Sequence, residues 1–189
     1  MALTRLFKEN GYGQLELNQV AFRRDGRIEA QCALDSAFSA SVPAENGMIL
    51  AVDNIARKIK FPGEGTDLVA LNYTTEHMYD ERKNALKDFC LTPEDGFYPR
   101  LGYLATGDKF TTNCVCYDAS DASDAWAASD ADAISALEAY ATTPVYGKEC
   151  SAGAILLSGA VDPSALVNLK VIKYTTMPDG TPGIKFQVL

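Results

Sequence analysis

The chain has 189 residues and a formal net charge of -8. With 47% hydrophobic and 22% charged residues, it has the composition of a folded soluble protein and not of a disordered one. The acidic balance argues against a general affinity for nucleic acid, because neutralising phosphates requires clustered Lys and Arg. The short basic runs at 23–24 and 57–60 are therefore expected to be solvated strand or turn faces.

The first ten residues lack the apolar centre of a signal peptide, and no window approaches the roughly 18 continuous apolar residues of a membrane span. The sequence therefore predicts a protein made and folded in cytoplasm, without a membrane segment. Five cysteines lie at positions 32, 90, 114, 116 and 150. In a reducing cytosol these cysteines are expected to be free, buried, small apolar residues.

The first predicted hairpin covers 15–34. Asp25-Gly26 is a favoured turn dipeptide, since Gly accepts a positive φ without a Cβ clash. In the second arm every other residue from 28 to 34 is apolar, which predicts one buried strand face. The first arm changes parity between Leu17 and Val20, which indicates a bulge or an earlier strand end.

A second hairpin is predicted over 48–61. Asn46-Gly47 precedes it as a turn, 48–52 forms the first strand, and Asp53-Asn54 reverses the chain. The returning arm alternates two lysines with Ile59 and Phe61, so the charges are expected to point outward and the apolar side chains inward.

The third hairpin, over 169–189, has strands 169–176 and 184–189 flanking the turn signal Pro178-Asp179-Gly180. Other segments are assigned from composition. Strand or extended structure is predicted at 68–79, 97–104, 109–117 and within 150–161, turns at 93–96 and 107–108, and a short helix or exposed excursion at 80–89.

One helix is predicted, over 130–141. Ser129 and Asp132 resemble a capping box, and Ile134, Leu137 and Ala141 fall on one helical face. The preceding run at 118–132 is rich in Asp, Ala and Ser and is expected to be an acidic surface loop. The chain is thus predicted to be a single mainly β domain, 1–189, an antiparallel sandwich or barrel with 118–142 as a loop-plus-helix excursion.

Chemical signals are weak. Cys114 and Cys116 share one strand face and, with Cys150 and His77, could be imagined as a zinc site. However, the second closely spaced pair typical of structural zinc sites is missing, which favours two core-facing cysteines. His77 is the one candidate imidazole base, and no nucleophile signature surrounds any cysteine, so a structural histidine is favoured.

Three further ligand signals are also interpreted as structural. Five aspartates at 118, 121, 124, 130 and 132 could attract Ca²⁺, but their spacing does not match an EF-hand, so solvated loop acids are favoured. Gly11 and Gly13 precede a strand and not a helix, which argues against a nucleotide loop. Tyr98, Tyr103 and Trp126 could build a carbohydrate surface, but because they show no periodicity they are expected to be core or interface anchors. No catalytic, cofactor-binding or metal-ligating residue is predicted.

Three patches resemble small virion structural proteins of tailed bacteriophages. They are 42–53 (Val-Pro-Ala-Glu-Asn-Gly-Met-Ile-Leu-Ala-Val-Asp), 107–113 (Gly-Asp-Lys-Phe-Thr-Thr-Asn) and the segment 169–189. The Asp/Ala/Ser-rich run lies outside this resemblance. The resemblance implies a β-rich capsid decoration protein, bound outside the shell at hexamer centres or local threefold positions.

The resemblance, joined to the lack of a catalytic constellation in the sequence, predicts a non-enzymatic virion protein without a cofactor. Its expected partners are the major capsid protein and further copies of itself, without direct contact to nucleic acid or membrane. Another virion component, such as a tail or connector protein, is an alternative. A small enzyme using His77 with a Cys or Asp is the remaining one.

Overall fold

The structure is a computed structural model that describes residues 3–7, 13–63, 68–74, 90–96, 98–120, 129–177 and 180–189. It is mainly β, as predicted. The strands are β1 (Leu3–Leu6), β2 (Leu15–Gln19), β3 (Ala33–Leu34), β4 (Ala44–Glu45), β5 (Ile49–Asp53), β6 (Lys58–Lys60), β7 (Leu68–Asn72), β8 (Cys90–Leu91), β9 (Leu101–Gly102), β10 (Lys109–Thr112), β11 (Val115–Asp118), β12 (Tyr146–Lys148), β13 (Ile155–Ser158), β14 (Asn168–Thr176) and β15 (Pro182–Val188). The helices are α1 (Ala21–Arg24) and α2 (Asp130–Glu138), with a 3-10 turn at Pro93–Asp95.

An eight-stranded sheet has the order β1-β11-β13-β12-β14-β15-β10-β2. β10 and β11 are consecutive in the chain, yet four strands lie between them in the sheet. In a flat sheet that separation would be about 24 Å, because neighbouring strands lie about 4.8 Å apart. Residues 112 and 115 cannot be more than about 11 Å apart along the chain. The sheet must therefore curl until its two ends approach each other, like a barrel.

The second layer is a five-stranded sheet of order β3-β6-β5-β7-β9, accompanied by the small pair β4-β8. The described residues form two hydrophobic cores, and several strands contribute alternate residues to both. On β11, Val115 and Tyr117 belong to the first core, while Cys116 belongs to the second. The first core fills the curled sheet, and the second lies where that sheet meets the five-stranded one.

The predicted hairpin at 48–61 is confirmed. β5 and β6 pair antiparallel with Val52 opposite Ile59, and Ile59 is fully buried while Lys58 and Lys60 are half-buried. The Asn46-Gly47 turn is also present, with Gly47 at φ 84°. A Cβ added at Gly47 would overlap Thr112 Oγ1, so this turn needs glycine for space as well as for conformation.

The predicted hairpin at 169–189 is also confirmed, as the antiparallel pair β14–β15. Gly180 takes the expected left-handed conformation, with φ 91°. Pro178 and Asp179 lie outside the described residues. The hairpin is central in the eight-stranded sheet, since β12 pairs with β14 and β10 pairs with β15.

The predicted hairpin at 15–34 is wrong. β2 ends at Gln19 and pairs with β10, whereas β3 pairs parallel with β6. Between them the chain forms α1, whose first N–H, at Ala21, donates to Asp108 Oδ1 at 3.0 Å. Phe22 on this turn is buried in the first core. The hydrogen bond to Asp108 and the burial of Phe22 therefore end the strand and turn the chain, close to the position where the apolar alternation of the sequence shifts between Leu17 and Val20.

The predicted helix is confirmed with two corrections. Ser129 caps α2, since its Oγ accepts a hydrogen bond from the backbone N–H of Asp132 at 3.2 Å. The helix ends at Glu138 and not at 141, and Ala141 is exposed. Leu137 is buried in the first core as predicted, but the second buried helix residue is Ala133, while Ile134 is half-buried.

The remaining predicted segments are shorter in the structure. The strand at 68–79 is confirmed as β7 over its first five residues, and the rest of it lies outside the described residues, as does 80–89. In the predicted segment 97–104, residue 97 lies outside the described residues, and within 98–104 only 101–102 is strand, where Leu101 and Gly102 pair with β7. The segment 109–117 divides into β10 and β11 at Asn113-Cys114. Turns form at 93–96 and 106–107.

Candidate functional site

Cys114 and Cys116, the two cysteines weighed as zinc ligands, lie on the same side of the chain, as the alternation of the strand predicts. Cys114 and Cys116 are both buried in the second core, whereas Val115 between them belongs to the first. Cys150 is in the same second core. The prediction of buried, core-facing cysteines is thus confirmed for these three residues.

Tertiary structure brings Cys116 and Cys150 together. Their Sγ atoms are 3.7 Å apart, although the residues are 34 positions apart in the chain. Cys150 Sγ also donates to the carbonyl oxygen of Ala154 at 3.0 Å. The structure describes Cys32, Cys114, Cys116 and Cys150 as free thiols.

In the described part of the chain, no group of three or more His, Cys, Asp or Glu side chains could hold a metal ion. His77, which completed both the zinc set and the enzyme alternative, lies outside the described residues. The structure therefore supplies no distances that test the zinc site or the enzyme alternative, both of which require His77.

A buried ion pair adjoins the thiols. Arg5 on β1 is the register partner of Cys116 on β11, and cross-strand partners point to the same side of a sheet. The Arg5 guanidinium binds the carboxylate of Glu45 on β4, with 2.9 Å between Nη2 and Oε2. Burial lowers the pKa of Arg5, but Cys114 and Glu45 raise it more, so the pKa is raised overall and the side chain is a cation.

The two apposed thiols have different acidities. The hydrogen bond from Cys116 lowers the pKa of the Cys150 thiol, and the Arg5 charge acts in the same direction. The same hydrogen bond raises the pKa of Cys116, and burial raises it further. Because the pKa of Cys150 is lowered and that of Cys116 is raised, Cys150 is the first of the two to ionise, and its negative charge hinders ionisation of Cys116.

The apex of the β5–β6 hairpin is the most exposed apolar feature of the described surface. The side chain of Ile55 is 99% exposed. Asp53 holds the apex in shape, since its Oδ1 accepts hydrogen bonds from the backbone N–H groups of Ile55 at 2.9 Å and Ala56 at 2.8 Å. Arg57 completes the turn with a φ of 53° and is also exposed.

The base of this hairpin is rigidly embedded. Four consecutive residues of β5, from Ile49 to Val52, are buried, and β5 pairs with both β6 and β7. Ile49 contributes to the first core and Leu50 to the second. Ile55 therefore lies at the tip of a hairpin whose first strand, β5, is buried over four of its five residues.

An open groove of about 700 Å³ lies beside α1, between the end of β2 and the 105–108 turn. Its one described carboxylate belongs to Asp108, which accepts hydrogen bonds from the N–H groups of Ala21 and Ala105. This carboxylate already caps two turns, so its described contacts give it a structural role.

The other signals considered for ligand binding have structural surroundings. Asp118 Oδ1 accepts hydrogen bonds from Ser120, and Asp130 and Asp132 are exposed at the start of α2, while Asp121 and Asp124 lie outside the described residues. Gly13 is buried and packs against the Asn46 carbonyl, where a side chain would not fit.

The predicted basic faces and aromatic anchors are partly confirmed. Arg23, Arg24 and Arg57 are exposed, as expected for solvated faces. Tyr98 is exposed, whereas Tyr103 is half-buried and packs against the second core. Gly11 and Trp126 lie outside the described residues.

Sequence reasoning missed two features. The apposition of Cys116 and Cys150 had no local signal, because it depends on a turn meeting a strand 34 positions away. The exposed apex had one: Ile55 follows the reversal Asp53-Asn54 and stands outside the alternation of the flanking strands.

Comparisons with known proteins identify no relative, since no family model, curated protein or solved structure matches the chain. In the described residues, no helix has the length and apolarity to cross a membrane.

Proposed function

We propose that the chain is a capsid decoration protein that binds an assembled bacteriophage shell and stabilises it, with the apex of the β5–β6 hairpin as its main contact. The observation that supports this most strongly is Ile55, which is 99% exposed on a braced turn. The resemblance of 42–53 to virion structural proteins covers the strand on which that turn is mounted. The major capsid protein is the proposed partner.

The energetics favour a partner over the apex. Burying a fully exposed Ile side chain is worth about 1.5–3 kcal/mol. The apex needs little ordering on binding, because Asp53 already fixes its backbone through two hydrogen bonds. Pre-organisation of this kind lowers the entropy cost of association. Ile55 is thus suited to insert into an apolar pocket of the shell surface.

Charge gives the apex a preferred partner surface. The exposed Arg57 lies two residues after Ile55, in a chain whose net charge is -8. An apolar pocket with an acidic rim would match these residues, and rim charges of this kind set orientation and association rate more than affinity. The remaining acidic surface would disfavour contact with packaged nucleic acid.

Stabilisation of the shell follows from linkage. A protein that binds the assembled lattice but not its free subunits shifts the equilibrium toward the assembled state. A homo-oligomer of the chain would present several apices to the symmetry-related sites of the lattice, and the weak contacts would then combine by avidity. The virion is accordingly the proposed location of the protein.

The test uses purified shells that lack the protein, purified chain and the variant Ile55→Ser. We expect saturable binding of the wild type and increased heat resistance of the shells. Ile55→Ser should bind at least tenfold more weakly while its melting temperature is unchanged, because exposed substitutions rarely alter stability by more than about 0.5 kcal/mol. Val161→Ser, at another exposed aliphatic residue, is the matched control and should bind normally.

Three outcomes would contradict the proposal: absence of saturable binding, equal binding to unassembled shell subunits, and equal binding of Ile55→Ser and wild type. Binding to isolated tails or connectors in place of shells would favour the alternative virion role.

A further inference from the structure

The paired thiols of Cys116 and Cys150 have no part in the proposed contact with a shell. Their sulfur atoms are 3.7 Å apart, and both side chains face the second core. The distance from Cys116 to Cys150 is set by packing between β11 and the turn that precedes β13, since β11 and β13 are adjacent parallel strands. The fold therefore holds two nucleophilic groups in one fixed relation.

We propose that Cys116 and Cys150 are a redox pair that closes to an intramolecular disulfide when a low-molecular-weight disulfide, such as oxidised glutathione, reaches Cys150. The proposal assigns a modification site to the second core, and it is independent of the identity of the binding partner.

The geometry needs only a small movement. A disulfide has its sulfur atoms about 2.05 Å apart, so the two sulfurs must approach by less than about 2 Å. Cys150 lies in a turn, closed by the hydrogen bond from the N–H of Gly153 to the Cys150 carbonyl at 2.9 Å. A turn can adjust its backbone more readily than a strand inside a sheet, so Cys150 can move toward Cys116.

The order of attack follows from access. Cys150 is 7% exposed, whereas Cys116 is 2% exposed. The Arg5 charge lowers the pKa of both thiols and so favours a thiolate in the pair without selecting one of them, which leaves the greater exposure of Cys150 to decide the order. Cys150 is therefore the residue that meets the oxidant, and Cys116 is the resolving residue.

The chemistry balances in two exchange steps. The Cys150 thiolate attacks one sulfur of oxidised glutathione, breaks its S–S bond and releases one glutathione thiolate. The Cys116 thiolate then attacks Cys150 Sγ, forms the Cys116–Cys150 bond and releases the second glutathione thiolate. The two protons lost by the protein thiols pass to the released thiolates, so two cysteines are oxidised and one disulfide is reduced to two thiols.

The new bond would close a loop that contains α2. Cross-linking residues 34 positions apart removes freedom from the unfolded chain and should raise the melting temperature by about 5–15 °C. The excursion of residues 118–142, which lies between the two cysteines, would then be tied at its base. The oxidised protein would be the more heat-resistant form.

The experiment treats the folded full chain with oxidised glutathione, blocks remaining thiols, and maps disulfides by mass spectrometry of peptides. We expect a peptide pair joined through Cys116 and Cys150, loss of both of these thiols from the residues that can be blocked, and a higher melting temperature that dithiothreitol reverses. The variant Cys32→Ser removes the half-buried thiol and should behave like the wild type.

Two variants test the order of attack. Cys116→Ser should stop at the first step, leaving one glutathione attached to Cys150, whereas Cys150→Ser should leave Cys116 unmodified. The proposal is overturned if the joined peptide is absent from the wild type, or if it forms only after the protein is unfolded by denaturant. The wild-type measurement decides the matter even where a variant fails to fold.

Discussion

The two confirmed hairpins differ in where their side chains lie, either within a core or on the surface. β14–β15 is long, lies in the middle of the curled sheet and contributes residues such as Leu169, Ile184 and Phe186 to the first core. β5–β6 is short, contributes to both cores at its base and presents a fully exposed isoleucine at its apex. Hairpins of similar sequence pattern thus have different surroundings: the first lies within the curled sheet, and the second contributes to both cores and exposes an apolar side chain at its apex.

The largest expected effect is a loss of stability on substitution of a core aromatic residue, and it should be greater in β14–β15 than in β5–β6. Phe186 is fully buried, with its ring centroid 5.8 Å from that of Phe110. Phe186→Ala should lower the free energy of unfolding by about 3–5 kcal/mol, because it removes a large ring and leaves a cavity. Phe61, just beyond β6, is half-buried against Phe38, so Phe61→Ala should cost less. Urea unfolding of both variants measures the difference, and equal losses would contradict the comparison.

The second expected effect concerns the glycine turns of the two hairpins. Gly47 before β5 and Gly180 before β15 both have positive φ, at 84° and 91°. An alanine at either position should cost about 1–2 kcal/mol from backbone strain alone. Gly47→Ala should cost more, because its Cβ would also overlap Thr112 Oγ1, whereas among the described residues no atom outside the chain neighbours of Gly180 lies within 4 Å of a Cβ there. Thermal unfolding measures the order, and a larger loss at Gly180 would show that the crowding at Gly47 relaxes freely.

The smallest expected effect on stability is at the β5–β6 apex. Asp53→Ala removes the acceptor of two backbone hydrogen bonds and should cost about 1 kcal/mol, since the site is near solvent. It should also weaken binding to shells, because the Ile55 side chain loses its fixed direction. Asp53→Asn keeps an acceptor oxygen and is the matched control, expected to bind like the wild type. Normal binding by Asp53→Ala would mean that the shape of the apex is not required.

Local signals predicted those parts of the fold whose partners are close in the chain. The hairpins at 48–61 and 169–189 and the cap of α2 depend on neighbours within a few residues, and turn dipeptides and alternation identify them. The segment 15–34 failed for the opposite reason. Asp108, 87 positions away, caps the turn at Ala21, and the burial of Phe22 stabilises a helical turn where Asp25-Gly26 alone favours a hairpin.

The candidate site was predictable only in part. Alternation showed that Cys114 and Cys116 share a face, and this is the arrangement in the second core. That Cys150 completes the pair depends on how β13 lies beside β11, which no local pattern specifies. The exposed isoleucine could be noticed in the sequence, but its significance depends on the full burial of the strand beneath it.

The pairing of β1 with β11 and of β2 with β10 has a consequence for synthesis on the ribosome. The partner of each of these early strands is synthesised roughly a hundred residues later. At a synthesis rate of 5–20 residues per second, the delay is about 5–20 s. During that interval Leu3–Leu6 and Leu15–Gln19 have unpaired backbone groups, a condition that favours contact with other unfinished chains. Completion of residues 109–118 supplies both partners at once, and slowing translation before that point should increase aggregation more than slowing it afterwards.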